Sequence, residues 1–488
     1  MRKFLILFAA VFLVGSAVSQ VYYEGQIDSD NSRINMSLKL DCDPGNCPVS
    51  VWRVTMNVPT SADIVEVKSA RGEVQETDRN GGDLKVKSRT PPSESEKITI
   101  VYDVKDDRKH VYSGLFTQRI NLPGFNDESN SGTLEIKNLL SASPSRGFEI
   151  SKKRDGLNYT GLGPGSVTVA TGQGFETKYY EFFGDDPENT SIAYEVTAGT
   201  LGFNQRFERL PVAVMPDREY NESINTWSAG QYTNATLVVR DSLEEDFLPI
   251  LAHETVHAFN DQRLKWSAES SWFDEGVSRY IEYLTKKALE GETRTRPLFW
   301  EDRTFTKYED GARYRYTLPS KGEKDALWQY YQDERDFIKH WSPESGNRDF
   351  GYSYAELVIR NHVSNGNSLS ELYENVDKRV LTDEGKWDLV SREVDLTPCK
   401  FDSRERFDAC LEKINEYDYP VYRAENLSAT NYSIEVRQLD LAEKNTQNGS
   451  GALLPNNSDE VAEKSGRKDN PLKNLLEMLE RMLNAFLR

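Results

Sequence analysis

The string His-Glu-Thr-Val-His at residues 253–257 constrains this chain more than any other feature, and it uses two of only five histidines in 488 residues. On an α-helix with about 3.6 residues per turn, His253 and His257 lie on the same face and can bind one zinc ion together. Glu254 then lies beside the metal, where its carboxylate can take a proton from a water molecule whose pKa zinc lowers to about 7. The motif therefore predicts hydrolytic chemistry, against the alternative of a chance match on a surface helix.

The residues around the motif favour a buried helix. Apolar side chains recur at helical spacing within residues 243–262, at Phe247, Leu248, Ile250, Leu251, Ala252, Val256 and Phe259. Ser242 and Glu245 are typical of a capping box at the start of such a helix. Pro249 indicates a later start, because proline is tolerated in the first turn, where its missing N–H costs nothing. Both starts place the motif on a helix.

A catalytic zinc site usually has three protein ligands and one open position, and the candidate for the third ligand is Glu275. It lies in Trp-Phe-Asp-Glu-Gly at residues 272–276, and seventeen residues separate it from the second histidine. That distance allows a second helix, capped by Ser270 or Ser271, to bring its first turn against the metal. Two alternatives stay open: Glu275 is an exposed acid that favours the helix dipole, or Asp274 is the ligand.

Together these segments resemble the gluzincin metallopeptidases, whose His-Glu-x-x-His motif is followed by a Trp-x-x-Glu-Gly-like segment. The resemblance implies an α+β fold, with a thermolysin-like zinc-peptidase catalytic domain preceded by a β-sandwich-like N-terminal domain. It also implies one zinc ion per chain, held by His253, His257 and Glu275. Glu254 would be the general base and proton shuttle.

The same family needs a hydrogen-bond donor opposite the metal for the oxyanion of the tetrahedral intermediate. Residues 351–360 read Gly-Tyr-Ser-Tyr-Ala-Glu-Leu-Val-Ile-Arg, which looks like the zinc-aminopeptidase segment where a catalytic tyrosine precedes a helix. Matching Val-Ile-Arg places Tyr352 on that tyrosine. The alternatives are that Tyr352 is a packing tyrosine, or that Tyr354 has the role. His340 and His362 have no motif around them and are predicted to be structural or surface residues.

One departure from the family concerns specificity. Its aminopeptidases carry Gly-x-Met-Glu-Asn upstream of the zinc helix, where the glutamate binds the free amino terminus of the substrate. At the corresponding distance, residues 229–239 read Ala-Gly-Gln-Tyr-Thr-Asn-Ala-Thr-Leu-Val-Val, without that glutamate. An endopeptidase or processing enzyme is therefore favoured over an aminopeptidase. The strand at residues 235–240 is predicted to be the sheet edge to which an extended peptide adds.

A second departure concerns the residues behind the metal. Relatives often have an acidic residue four positions after the third ligand, which orients a zinc-binding histidine. This chain has Arg279 at that position. We expect Asp274 or Glu282 to substitute, or the supporting shell to be built differently.

The amino terminus predicts export. Arg2 and Lys3 precede an apolar run at residues 4–15, and Ala-Val-Ser at residues 17–19 fits a small-x-small cleavage site, so residues 1–19 are predicted to be a signal peptide. The alternative is an uncleaved anchor, although the run is too short to span a bilayer. No other run approaches the length of a transmembrane helix. The chain is therefore predicted to be secreted or attached to the cell surface.

Cysteine usage agrees with an oxidising compartment. The four cysteines form two close pairs, Cys42 with Cys47 and Cys399 with Cys410; three connectivities are possible and the local one is simplest. Neither pair has the neighbouring ligands of a structural zinc site, which is the alternative. Nine Asn-x-Ser/Thr sequons predict a glycoprotein; they lie at Asn35, Asn158, Asn189, Asn221, Asn234, Asn426, Asn431, Asn448 and Asn456.

The net charge of the chain excludes one class of partner. A formal net charge of -19 with a pI of about 5.0 argues against a nucleic-acid partner.

The predicted domain order is a signal peptide at 1–19, a β-rich domain at 20–205, a catalytic domain at 206–437, a flexible linker at 438–469 and an amphipathic helix at 470–488. Short strand-like runs separated by turn residues indicate the β-rich domain; they lie at 51–58, 63–67, 83–86, 97–104, 132–136 and 167–170. The first catalytic strand is predicted at 210–215.

Two further segments carry functional hypotheses. Residues 291–345 are dense in aromatic side chains and could line the cleft, although such residues more often belong to the core. The C-terminal helix at 470–488 has leucines at helical spacing. It is predicted to dock onto the protein, to self-associate or to attach to a surface, with a membrane interface as the weaker alternative.

These observations predict a secreted zinc metallopeptidase acting on a peptide or protein substrate. One alternative is a noncatalytic extracellular binding protein that retains the metal site. Another is a zinc hydrolase acting on a different carbonyl compound, since the same chemistry polarises any suitable carbonyl.

Overall fold

The computed structural model describes residues 19–420, apart from 28–31, 41–51, 58–61, 70–73, 81–82, 89–95, 105–107, 123–128, 164, 185–186, 265–270, 291–322, 333–337, 345–347 and 380–382. Residues 1–18 of the predicted signal peptide, the Cys42–Cys47 pair, the linker and the C-terminal helix therefore lie outside the described residues. Mixed helix and sheet content agrees with the predicted α+β class.

The amino-terminal part consists of short strands, and each strand-like run predicted above falls on one of them. Their bounds are β1 (Ser19–Ile27), β2 (Ser32–Leu40), β3 (Trp52–Asn57), β4 (Ala62–Ser69), β5 (Val74–Asn80), β6 (Asp83–Ser88), β7 (Glu96–Val104), β8 (Arg108–Tyr112), β9 (Leu115–Leu122), β10 (Ser129–Ile136), β11 (Leu139–Pro144), β12 (Phe148–Lys153), β13 (Gly156–Leu162) and β14 (Gly165–Thr171). They form a seven-stranded sheet ordered β12-β13-β10-β1-β2-β7-β4, a four-stranded sheet ordered β11-β14-β9-β8 and a three-stranded sheet ordered β3-β6-β5. In the seven-stranded sheet, β1 pairs with β10 in parallel. All other neighbouring strands of that sheet pair in antiparallel fashion.

The two larger sheets share one core. Ile100 and Leu134 come from the seven-stranded sheet, and Ile120, Val167 and Val169 from the four-stranded sheet, and all are buried in the same cluster. Alternation of apolar and polar residues along a strand directs one face inward, which lets two sheets pack on each other. This arrangement is a sandwich of two sheets.

A second mixed sheet supports the helices of the site. Its strands are β15 (Phe175–Glu176), β16 (Tyr180–Phe183), β17 (Leu210–Met215), β18 (Gly230–Thr233) and β19 (Thr236–Arg240), ordered β15-β16-β17-β19-β18. Strand β16 pairs with β17 in parallel, and both contribute to the core beneath the helices. The strand predicted at 210–215 is β17, but it is not the first strand of this sheet.

The sheet edge also differs from the prediction. Strand β19 pairs with β17 on one side and β18 on the other, so the strand predicted at 235–240 is interior. The edge is β18, which a tight turn joins to β19. Asn234 and Ala235 have φ values of 50° and 63° there, as a two-residue hairpin turn of this kind requires.

The helices follow in the second half of the described chain. Their bounds are α1 (Ser191–Leu201), α2 (Asp217–Ser223), α3 (Phe247–Arg263), α4 (Ser271–Glu290), α5 (Glu323–Gln332), α6 (Arg348–Ser364), α7 (Leu369–Arg379), α8 (Asp383–Glu393) and α9 (Arg404–Asn415), with short 3₁₀ turns at Asp241–Asp246 and Ile338–His340. None of the helices in the described part of the chain is long and apolar enough to cross a membrane. A disulfide joins Cys399 to Cys410, as predicted, and ties the segment before α9 to α9 itself.

Helix α3 starts as the proline predicts. Pro249 lies in its first turn, and Ser242 donates its hydroxyl hydrogen to Asp217 at 2.8 Å instead of capping the helix. Helix α3 packs on α4, and α4 packs on α6. The second contact is close because a Cβ added to Gly276 on α4 would lie 2.6 Å from the carbonyl oxygen of Ala355 on α6.

The aromatic segment at 291–345 is described only in part. Tyr330, Tyr331 and Trp341 are buried in the core with α6, not in a cleft. The aromatics from Phe299 to Tyr316 lie outside the described residues. For the described aromatics, core packing is therefore the observed role.

Candidate metal centre

The two histidines of the motif project from the middle of α3. His253 and His257 are one helical turn apart, with ring centroids 5.0 Å apart, and both are largely buried. Apolar residues on the same helix, including Leu251, Val256 and Phe259, are fully buried and hold α3 in the core. The histidine pair is therefore fixed at the base of a cleft.

Glu275, on the second turn of α4, reaches both histidines with one carboxylate oxygen. Its Oε2 lies 3.3 Å from Nε2 of His253 and 3.5 Å from Nε2 of His257. That oxygen is buried and has no hydrogen-bond partner among the described residues. Three donor atoms from two helices thus converge on one point.

These separations fit a zinc ion. Ligand bonds of about 2.0–2.2 Å at tetrahedral angles place neighbouring donor atoms about 3.4 Å apart. The observed 3.3 and 3.5 Å agree with that spacing. A buried carboxylate oxygen without a donor also requires a cation or proton to satisfy it. His253, His257 and Glu275 are therefore the residues that would hold the metal.

Asp274 supports His257 from behind. Its Oδ2 lies 2.8 Å from Nδ1 of His257, and its Oδ1 accepts a hydrogen bond of 2.6 Å from the amide nitrogen of Asn260. This contact fixes the imidazole so that Nε2 faces Glu275, as is usual for metal-binding histidines. Asp274, the competing candidate for the third ligand, thus lies behind the ring and orients a histidine instead.

Glu282 takes the corresponding place behind His253. Its Oε2 lies 3.3 Å from Nδ1 of His253, close enough for a charge contact although not aligned as a hydrogen bond. The same oxygen accepts a hydrogen bond of 2.6 Å from Arg279, whose Nε lies 4.0 Å from Glu356. The arginine that departs from the family pattern therefore pairs with the carboxylate two turns beyond Glu275.

Charges around the metal-binding residues shift their protonation. Burial favours a neutral Glu275, but the two histidines outweigh burial and lower the pKa of Glu275 to about 2. Burial likewise opposes charge on His253, but Glu275 and Glu282 raise the pKa of His253 to about 9. In the absence of metal, these shifts favour protonated histidines paired with ionised carboxylates. Metal binding must displace protons from the histidines.

Glu254 faces the cleft from the same turn of α3. It is 4% exposed, and its Oε2 has no hydrogen-bond partner among the described residues. Burial raises the pKa of Glu254, which brings a carboxylate closer to the range where general bases work. Strand β18 lies close to it, because a Cβ added to Gly230 would lie 2.8 Å from Cγ of Glu254. Only glycine allows the edge strand this approach.

Tyr352 and Tyr354 are separated by their surroundings. Tyr352 lines the cleft, with its ring centroid 6.5 Å from that of His253. Burial, followed by the charges of Glu275 and Glu254, raises the pKa of Tyr352, so its hydroxyl stays a donor. Tyr354 is buried, and its hydroxyl donates to the carbonyl oxygen of Leu396 at 2.9 Å. Both lie within α6, so Tyr352 does not precede the helix as expected.

The remaining histidines do not add to the centre. His362 is buried on α6, and burial lowers its pKa. His110 packs edge-on against Phe116. The side chain of His340 lies outside the described residues. Within the described part of the chain, His253, Glu254 and His257 on α3 also have their possible ligand atoms within 4.8 Å of one another.

The cleft above the metal-binding residues has a volume of about 400 Å³. One wall is β18 with the loop before it, and the other carries Glu344 and Tyr352; Ser143 of β11 also lines the cleft. Sequence reasoning missed Ser143, Asp261 and Glu344. Asp261 alone had a signal, since it lies four residues after His257 on the same helical face.

No family model and no curated protein matches the chain. Among solved structures, an M1 zinc metallopeptidase from Deinococcus radiodurans is 12% identical with a TM-score of 0.35, over 84% of this chain and 95% of that chain. Leukotriene A4 hydrolase from Saccharomyces cerevisiae is 10% identical with a TM-score of 0.36, over 77% of this chain and 64% of that chain. Aminopeptidase A from Legionella pneumophila is 11% identical with a TM-score of 0.37, over 82% of this chain and 48% of that chain.

At identities and TM-scores this low, the likenesses establish neither a family nor an activity for this chain. They also give no support to the expected preference for endopeptidase over aminopeptidase action.

Proposed function

We propose that this protein is a zinc-dependent metallopeptidase of gluzincin type that hydrolyses peptide bonds with water. The observation that carries the proposal is the convergence of His253 and His257 on one oxygen of Glu275, at 3.3 and 3.5 Å. Glu254 lies in the same cleft. A metal-binding triad beside a free buried carboxylate is suited to hydrolysis.

Each group then has a role in the reaction. When bound, zinc would lower the pKa of water and polarise the substrate carbonyl. Glu254 accepts a proton from the attacking water and delivers it to the leaving nitrogen, so one carboxylate acts as base and then as acid. The Tyr352 hydroxyl, held protonated by burial, donates to the oxygen on which negative charge develops.

The edge strand would align the substrate. Strand β18 pairs with β19 on one side only, so its other edge can take an extended peptide by main-chain hydrogen bonds. Gly230 brings this edge against Glu254. An extended chain on β18 would therefore pass directly over the general base.

Two finer parts of the proposal concern where the protein acts and where it cuts. The Cys399–Cys410 disulfide supports secretion, because disulfides persist in oxidising compartments. Thr233, at the place of the missing glutamate, supports cleavage inside a chain. Peptides with free and acetylated amino termini would separate internal from terminal cleavage.

The test compares zinc-loaded wild type with zinc-loaded Glu254→Gln on a quenched fluorescent unfolded protein. Zinc content should be equal, while hydrolysis should fall roughly 10²–10⁴-fold in the variant, since that is the usual contribution of a general base. Glu219→Gln, an exposed carboxylate on α2, is the matched control and should match wild type. Equal hydrolysis by wild type and Glu254→Gln would reject the mechanism. Zinc binding without hydrolysis in either would favour the noncatalytic alternative.

A further inference from the structure

The charged side chains that line the cleft above the metal-binding residues are acidic, apart from the two histidines. Its described lining contains five carboxylates and no lysine or arginine; they are Glu254, Asp261, Asp274, Glu275 and Glu344. The whole chain has 60 basic residues against 79 acidic ones, so a lining with five carboxylates and neither lysine nor arginine is a local feature.

Most of these carboxylates are compensated once the proposed metal is bound. A zinc ion carries two positive charges, which Glu254 and Glu275 balance. Asp274 is enclosed by His257 and Asn260. Asp261 and Glu344 remain without an opposite charge among the described residues. Glu254, although 4% exposed, also has an oxygen without a partner facing this cleft, and a buried polar group of this kind requires a ligand.

Asp261 is placed to meet a substrate on the His257 side of the centre. It follows His257 by one turn of α3, about 6 Å along the helix axis, which is about two residues of an extended peptide. It accepts a hydrogen bond of 3.0 Å from the Tyr232 hydroxyl. One such bond leaves a carboxylate with further acceptor positions. Its half-buried position reduces solvent screening.

Glu344 is exposed at the rim on the opposite wall, beside Pro343. The cation on that wall, Arg348, stacks on the ring of Trp227 at 4.0 Å and donates to the carbonyl oxygen of Pro343 at 2.8 Å. It makes no ion pair with Glu344 within the described residues. Glu344 therefore makes the electrostatic potential at the mouth of the cleft more negative.

Building on the proposed peptidase function, we propose that Asp261 is a specificity residue that binds a positively charged nitrogen of the substrate. The group is a free amino terminus or a lysine or arginine side chain, since both offer the same charged N–H donors. Glu344 favours the approach of such substrates without contacting the charged group. A charge-assisted hydrogen bond of this kind corresponds to a preference of roughly 10–100-fold.

The experiment measures binding to the zinc-loaded full chain carrying Glu254→Gln, so that no peptide is consumed. The probes are hexapeptides labelled at the carboxyl end, with lysine or its neutral analogue norleucine at each central position. Each is made with a free and with an acetylated amino terminus. Loss of the preference on acetylation identifies the terminus as the bound group, and loss on replacing lysine identifies the side chain.

The same peptides are then tested with Asp261→Asn added. The ratio of charged to neutral affinity should fall from roughly 10–100-fold to near unity. Tyr232→Phe removes the hydrogen bond that Asp261 accepts but keeps the carboxylate, so its ratio should stay near that of the parent. Glu219→Gln, outside the cleft, controls for net charge.

Equal affinity for charged and neutral peptides in the parent would overturn the inference, as would an unchanged ratio with Asp261→Asn. The inference would also be overturned if Tyr232→Phe abolished the ratio of charged to neutral affinity as fully as Asp261→Asn does, because the effect would then be structural. The proposed function can fail separately. If wild type cuts no peptide while the binding preference still depends on Asp261, the peptidase activity is rejected and the inference about Asp261 stands.

Discussion

Substituting Asp274 with asparagine should weaken zinc binding while leaving the fold intact. Asp274 is 5% exposed and presents its two oxygens to two donors, Nδ1 of His257 at 2.8 Å and the amide of Asn260 at 2.6 Å. Asparagine has the same shape but offers one oxygen and one NH₂ group. The change therefore removes a charge and one acceptor without leaving a cavity.

The cost falls mainly on the metal-bound state. Without metal, a neutral His257 can place its unprotonated Nδ1 toward the new NH₂ group, so both are satisfied. Coordination through Nε2 requires a proton on Nδ1, which then meets a donor unless the amide and Asn260 both rearrange. A buried donor left unsatisfied costs about 1–3 kcal/mol. Loss of such a supporting carboxylate typically weakens metal affinity about 10–100-fold, or about 1.4–2.8 kcal/mol, which agrees with that cost.

The assay is competition for zinc against a chromophoric chelator at fixed pH, with thermal unfolding of the metal-free proteins as a check on the fold. Asp261→Asn is the matched control, because Asp261 is on the same helix and in the same cleft but bonds Tyr232 instead of a histidine. Its zinc affinity should equal that of wild type. The reasoning fails if Asp274→Asn binds zinc within threefold of wild type, or if both variants lose affinity equally.

Three further predictions concern the oxyanion donor, the disulfide and a buried histidine. Tyr352→Phe should lower kcat roughly 10²–10³-fold with unchanged zinc affinity, whereas Tyr354→Phe should mainly lower the melting temperature; the reverse pattern would exchange their roles. Replacing Cys399 and Cys410 with alanine should lower the free energy of unfolding by about 3 kcal/mol, since the bridge closes a short loop of separation 11, and unchanged urea unfolding would contradict this. Because burial lowers the pKa of His362, wild-type stability should fall as pH drops below about 6.5, by at most about 1.4 kcal/mol per pH unit. His362→Gln should show a shallower fall between pH 7 and 5, and parallel curves would contradict the assignment.

The local parts of the site could be predicted because they depend on helical periodicity. Spacing of four residues puts His253 and His257 on one face of α3, and the capping and apolar pattern after Ser271 indicates a second helix carrying Glu275. The pattern does not predict how closely helices α3 and α4 approach each other. The 3.3 and 3.5 Å separations depend on the packing of α3 on α4.

The edge strand shows where such reasoning fails. Residues 235–240 have the more apolar pattern, and that pattern belongs to an interior strand with neighbours on both sides. Gln231, Tyr232 and Thr233 are half-buried, as one free edge allows. Strand β19 is interior because it pairs with β17, which is distant in sequence, and β18 is therefore the edge. Likewise, β16 joins the second sheet through a parallel pairing that local pattern does not specify.

Arg279 illustrates how a departure from a family pattern can keep the chemistry of a site. A cation one turn after Glu275 would repel a metal ion if its charge stood alone. Here Arg279 is paired with Glu282 at 2.6 Å, with Glu356 4.0 Å away. Burial raises the pKa of Glu282, but Arg279, followed by His253 and Lys286, lowers it to about 2. The carboxylate behind His253 is therefore kept ionised. Since a buried carboxylate favours the neutral form, the arginine, together with Lys286 at 3.7 Å, helps to keep Glu282 in the ionised form that supports the histidine. The position that departs from the family pattern thus supplies positive charge beside the carboxylate that lies behind His253.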